Sequence, residues 1–118
     1  MQRFTELKVW QRGHALVLKV YKLTTGFPLV ERYGLRSQLR RAVLSVPTNI
    51  AEGSKRVSNQ DYARFLNMAE ASLAETEYLL LVSRDLEYVA PAAINVCFSD
   101  VAELASMLHA LRKKVEAK

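Results

Sequence analysis

Gln38, Arg41, Ser45, Asn49, Glu52 and Arg56 follow one another at steps of three or four. On a helix that spacing sets hydrogen-bonding groups along a single edge for about five turns. A guanidinium, a hydroxyl, an amide and a carboxylate in a row could form a catalytic cluster. The same groups suit hydrogen bonding between helices or subunits, which the spacing favours over catalysis. A carboxylate-bridged metal centre needs inward Glu-x-x-His pairs, and the sequence contains none. His14 sits among Trp10, Val17 and Tyr21, and His109 lies close to the C-terminus, so both read as packed or edge histidines rather than ligands. Cys97 shares an apolar face with Ile94 and Val101 and reads as a small buried hydrophobe, not a nucleophile. The glycines are scattered singly, so no phosphate-cradling loop is present. The expectation is a non-enzyme with no catalytic residue, no metal and no cofactor.

The other chemistry on offer is charge. The 118-residue chain carries a formal charge of +5 and a pI near 9.6. Residues 1–57 hold 11 Lys and Arg against 3 Asp and Glu, a balance of +8; residues 58–118 hold 6 against 9, a balance of −3. Such asymmetry suits a surface that attracts phosphate, or complementary patches that attract another copy of the chain. Lys8, Arg12, Lys19 and Lys22 group on one side of the first predicted helix, a ridge about 20 Å long at the helical rise. It is either an ordinary solvated face or, with Arg41, Lys55 and Arg56, a candidate nucleic-acid surface. Few aromatics fall on these basic faces, so contact with the phosphate backbone rather than base stacking is expected.

The elements that must position these groups are helices. Leu35, Leu39, Val43, Val46, Ile50 and Gly53 recur within a narrow arc at about 100° per residue, the mark of a buried face. Pro47 interrupts this stretch chemically, since it cannot bond the carbonyl of Val43. The apolar phase does not slip across it, so one helix kinked at Pro47 is expected; the alternative is a break near Val46 with Asn49 capping a fresh turn. A first helix over about 5–25, with Thr5 as N-cap, places Trp10, His14, Val17, Tyr21 and Thr24 on one face. Gly26-Phe27-Pro28 ends it, and Phe27 plugs one end of the core. Ser58 followed by Asp61 marks the start of a third helix, about 59–87, whose core face is Tyr62, Phe65, Ala69, Leu73, Thr76, Leu80 and Ser83. Its opposite side bears a second stripe, Ala71, Ala74, Tyr78 and Leu81, edged by Glu70 and Glu77, a candidate oligomer interface. Pro91 opens a fourth helix, about 91–115. With the second at about 34–55, the expectation is one all-α domain over 1–118, an antiparallel up-down-up-down four-helix bundle. A single cysteine suits a reducing compartment, and no signal-like or membrane-length apolar run stands out, so a cytoplasmic protein without a membrane is expected.

Three stretches carry a resemblance: FTELKVWQRGHALVLKVY, FPLVERYGLRSQLRRAVLSVPTNIAEGSKR and NQDYARFLNMAEASLAETEYLL. They resemble, end to end, the four-helix-bundle proteins encoded in intervening sequences of bacterial 23S ribosomal RNA genes. The family signature falls on Gln38, Arg41, Ala42, Ser45, Pro47, Asn49, Ile50, Ala51, Glu52 and Gly53; the family often has Ala at the position of Gly13. The resemblance implies a homopentamer. It also implies kinship with a branch that serves diversity-generating retroelements, accessory proteins that bind nucleic acid and a reverse transcriptase. For the intervening-sequence branch it implies no established biochemical activity.

The leading expectation is therefore a non-enzymatic, ring-like basic homo-oligomer that binds RNA or DNA through phosphate contacts. The alternative is a scaffold or accessory module with a protein partner and no nucleic acid, in which the basic half of one copy meets the acidic half of the next.

Overall fold

A computed structural model describes residues 3–118. Four helices form where the periodicity places them: α1 (Lys8–Thr24), α2 (Leu35–Gly53), α3 (Asn59–Asp85) and α4 (Pro91–Glu116). Short 3-10 turns over Phe4–Glu6 and Leu29–Glu31 precede α1 and α2. The boundaries have chemical causes. Ser58 Oγ accepts the Asp61 amide at 3.1 Å and caps α3. Pro91, whose missing N–H costs nothing in the first turn, opens α4. At the C-terminus of α3, Glu87 adopts φ 61° and Tyr88 N–H reaches back to the Ser83 carbonyl at 3.0 Å, a left-handed closure made without glycine.

The start of α1 departs from expectation. Thr5 lies inside the 3-10 turn and caps nothing; α1 begins three residues later, after extended Leu7 and without a side-chain cap. The tight turn swings Phe4 onto Trp10, edge-to-face at 5.2 Å, and Gln11 Nε2 donates to the Thr5 carbonyl at 3.0 Å. The inward face of α1 is also rotated: Val9, Gly13, Leu16, Val17, Val20 and Thr24 are buried, while Trp10 and Tyr21 are half-buried and His14 is exposed. Two neighbours, α2 and α4, pinch this helix, so its buried arc is centred between them rather than on the aromatic edge.

Pro47 sits inside α2, which runs unbroken through it. Asn49 caps no new turn; its amide donates to the Ser45 carbonyl one turn back at 2.9 Å. The proline is buried against Gly13 of α1, where a Cβ would meet Pro47 Cβ at 3.5 Å.

Cross-helix pairs show the antiparallel order directly. Gly13 meets Pro47 while Thr24 meets Arg40; Ser45 meets Ser72 while Gly53 meets Phe65. Glu70 meets Arg112 while Arg84 meets Phe98, and Arg12 and Lys19 meet Glu103 and Asp100. The up-down-up-down bundle measures 45 × 24 × 20 Å. Its centre is aliphatic: Leu16 and Val20, then Leu39, Val43, Val46 and Ile50, then Leu66, Leu73 and Leu80, then Ile94, Leu104 and Leu108. Thr76 and Ser83, expected on the core face of α3, are fully buried and donate to carbonyls four residues back, at 2.8 Å each. Phe27 is buried at one end against Tyr88, as expected of a plug.

Among the described residues, α4 alone reaches the length and mean hydropathy, 1.2 over 18 residues, that would permit a membrane span. That corrects the expectation of no such segment. In the bundle its Ile94, Cys97, Val101, Leu104 and Leu108 are buried in the core.

Candidate nucleic-acid interface

The predicted basic ridge on α1 does not survive as one surface. Arg12 pairs with Glu103 and Lys19 with Asp100, so the middle of the ridge is clamped to carboxylates of α4. Lys8 and Lys22, at opposite ends of α1, have no carboxylate within ion-pair distance among the described residues. The same pattern recurs at the α3–α4 seam, closer to the end of α4. Glu70, predicted at the edge of an oligomer interface, turns to α4 and holds Arg112, which Glu116 also engages at 2.7 Å. Those hydrogen bonds raise the Arg112 guanidinium's pKa still further.

The ends differ from the waist. Antiparallel packing brings the start of α1, the end of α2, the start of α3 and the end of α4 together. Lys8, Lys55, Lys113, Lys114 and Lys118 gather there, all exposed and with no carboxylate partner among the described residues. Arg56 joins them but is partly engaged, 3.7 Å from Asp61 and 4.3 Å above the Phe65 ring. A cleft of about 450 Å³ opens at the same end between α3 and α4; Asn59, Gln60, Arg64, Asn67 and Lys118 line it together with Arg112 and the Glu116 carboxylate that engages it. Arg64 is itself paired with Asp61 at 2.9 Å, so the amides, Lys118 and the positive end of the α3 dipole are what the cleft offers an anion. Sequence reading singled out Lys8, Lys55 and Arg56 at this end but not Arg64, Lys113, Lys114 or Lys118. The signal was available in the up-down order, which places the C-terminus beside residue 55.

The polar edge of α2 divides as well. Ser45 Oγ shares a 2.7 Å hydrogen bond with Ser72 Oγ of α3, and Asn49 Nδ2 donates to Ser45 Oγ at 3.0 Å, so these close the α2–α3 seam. Gln38, Arg41, Ser45 and Glu75 border a groove of about 330 Å³. Glu52 faces the other way, toward α1, where it borders a groove of about 350 Å³ with Trp10 and His14. The residues of a supposed catalytic row are therefore spread over two sides of one helix.

Cys97 is buried, and burial, with Asp100 nearby, raises its thiol pKa. It stays protonated and poorly nucleophilic at neutral pH. Among the described residues no three His, Cys, Asp or Glu side chains gather closely enough to hold a metal ion. On the outer face of α3, Ala71, Ala74 and Glu77 are exposed, Tyr78 is 64% exposed and Leu81 is half-buried.

The sequence model for the 23S rRNA-intervening sequence protein family matches residues 5–110. No curated protein matches the chain. Among solved structures, the chain is similar to a protein of unknown function of the S23 ribosomal protein family from Bacteroides thetaiotaomicron VPI-5482. The two are 24% identical, with a TM-score of 0.81 over 89% of this chain and 98% of that one. That likeness carries the fold.

Proposed function

The chain belongs to the 23S rRNA-intervening sequence protein family, and from that membership we propose a non-enzymatic, basic homo-oligomer that holds nucleic acid by its phosphates. Neither the family description nor that of the structural neighbour names a reaction. The observation that carries the reading is the sorting of the cations. Arg12, Lys19 and Arg112 are engaged by carboxylates of neighbouring helices, whereas Lys8, Lys55, Lys113, Lys114 and Lys118 collect unpaired at one end; among the described residues Lys22, Arg32, Arg36 and Arg41 are also without an ion pair, but they are spread over the rest of the surface. Unpaired, fully hydrated lysines release condensed counterions from a polyanion when they bind it, which gives sequence-independent and salt-sensitive affinity. Repetition of the patch in an oligomer multiplies it.

Self-association is proposed on the outer face of α3, where a tyrosine and two alanines lie in water beside Glu77. The resemblance puts the number of copies at five. Filter binding with a structured RNA and a duplex DNA at 50 and 200 mM salt tests the first half: binding at the lower salt, weakened at least tenfold at the higher, is expected. Retention of neither at low salt removes it. Light scattering of Tyr78→Glu tests the second half. A fall to monomer mass is expected, and an unchanged mass moves the interface elsewhere.

A further inference from the structure

The groove between α1 and α2 holds an arrangement that phosphate binding does not use. Trp10 and His14, one turn apart on α1, stack with centroids 5.0 Å apart and planes 8° from parallel. Phe4 closes the far side of Trp10 edge-on. The imidazole, on an exposed residue, gives one face to Trp10 and turns the other along α1 toward Val17 and Leu44, which border the same groove of about 350 Å³. Leu44 is 41% exposed at its rim, and Leu18, one turn beyond His14 on the same side of α1, is 58% exposed. Leucines left in water beside a half-finished aromatic stack mark a surface built to be covered.

The molecule carries a surface that matches it. On the outer face of α3, Tyr78 stands in water beside Ala71 and Ala74, and the exposed Glu75 and Glu77 have no ion pair among the described residues. The receiving side has the opposite charge at the right place. Arg41 is exposed, has no ion pair among the described residues, and precedes Leu44 by three residues, about 4.5 Å along α2. The groove's own carboxylate, Glu52, lies two turns away in the last turn of α2. Other pairings are less well matched. A two-fold contact of the α3 face with itself, centred on Tyr78, would set Glu75 and Glu77 against their own counterparts, and like charges there oppose association. At the α1–α4 seam, Arg12 and Lys19 are already held by Glu103 and Asp100.

We infer that the outer face of α3 in one copy docks into the α1–α2 groove of the next, Tyr78 stacking on the open face of His14 beside Leu44 and Glu77 lying toward Arg41. The inference rests on the self-association proposed above and adds to it the receiving surface. The contact joins two different faces, so copies follow one another head to tail, the arrangement that closes into rings.

Full-length variants are compared by light scattering without nucleic acid. Wild type should run as an oligomer, and Leu44→Glu should fall to monomer mass as Tyr78→Glu does. An equimolar mixture of the two is the decisive sample. One keeps its groove and the other its stripe, so the mixture should double in mass and go no further. His14→Ala should weaken wild-type association about fivefold, the scale of one aromatic contact, and His14→Phe should restore it. Arg41→Glu, at another exposed position, replaces Leu44→Glu if that variant loses its helical circular dichroism. If Tyr78→Glu falls to monomer while Leu44→Glu keeps the wild-type mass, the docking is wrong and the α3 interface stands. A mixture that stays monomeric overturns the docking equally. If Leu44→Glu keeps its mass and instead loses RNA, the groove serves nucleic acid and not a second copy. If wild type is monomeric at micromolar concentration, or Tyr78→Glu leaves the mass unchanged, the self-association reading falls and the docking with it.

Discussion

The waist of this bundle and its lysine-rich end use the same residue types for different purposes. At the waist, Arg12 and Lys19 are each held by a carboxylate of α4, and Gly13 leaves room beside Pro47. At the end, Lys55, Lys113 and Lys114 lack such partners, and Gly53 is pressed so hard on α3 that a Cβ would lie 2.7 Å from Phe65 Cβ. The waist is where charge serves cohesion; the end is packed tightly underneath and left electrically open on the surface. Net charge alone could not have distinguished them, because surface ion pairs cancel field locally whatever the total.

The sharpest way to break that contrast is to neutralise the open end. Lys55→Gln, Lys113→Gln and Lys114→Gln together should lower RNA affinity about 100-fold and reduce the salt slope by about three, with no loss of thermal stability. An unchanged slope by filter binding would return these lysines to plain solvation. Next comes the packing beneath them. Gly53→Ala should destabilise the fold by about 2 kcal/mol in urea denaturation, because the obstructing atom is a Cβ and cannot swing aside. A neutral result would mean α2 and α3 slide apart freely at that end.

The other glycine should respond in the opposite sense. At Gly13 an added Cβ meets Pro47 Cβ at 3.5 Å and Val46 Cγ1 at 3.6 Å, ordinary contact distances. Gly13→Ala should therefore stabilise by about 1 kcal/mol through helix propensity, read as a melting temperature raised by about 4 °C. A lower melting temperature would show the α1–α2 crossing to be tighter than its geometry. The smallest effect belongs to the waist cations. Arg12→Gln and Lys19→Gln should each cost under about 1 kcal/mol and leave RNA affinity unaltered, since both pairs are open to solvent and screened, Glu103 exposed and Asp100 half-buried. Weakened RNA binding by either would restore the continuous ridge on α1.

Much of this architecture was legible in the residues. The core face of α3 from Phe65 to Ser83, the Ser58 cap, the proline at the start of α4 and the unbroken phase across Pro47 each depend on local spacing, and each stands where the spacing puts it. What was not legible depends on register between distant helices. The ridge on α1 looked continuous because Lys19 and Asp100 are 81 positions apart, and nothing near either residue signals the pairing. Glu70 likewise looked like the rim of an outer stripe until α4 brought Arg112 beside it. The start of α1 was misplaced for a local but subtle reason: an aromatic contact between Phe4 and Trp10 outweighed the capping preference of Thr5.

Lysine acetylation read by mass spectrometry, with and without bound RNA, tests the division between end and waist most directly. The account predicts that Lys8, Lys55, Lys113 and Lys114 lose reactivity when RNA is added at low salt, while Lys19, already engaged by Asp100, reacts to the same extent in both samples. Equal protection of Lys19, or no protection of the end lysines under conditions where RNA is bound, would contradict it.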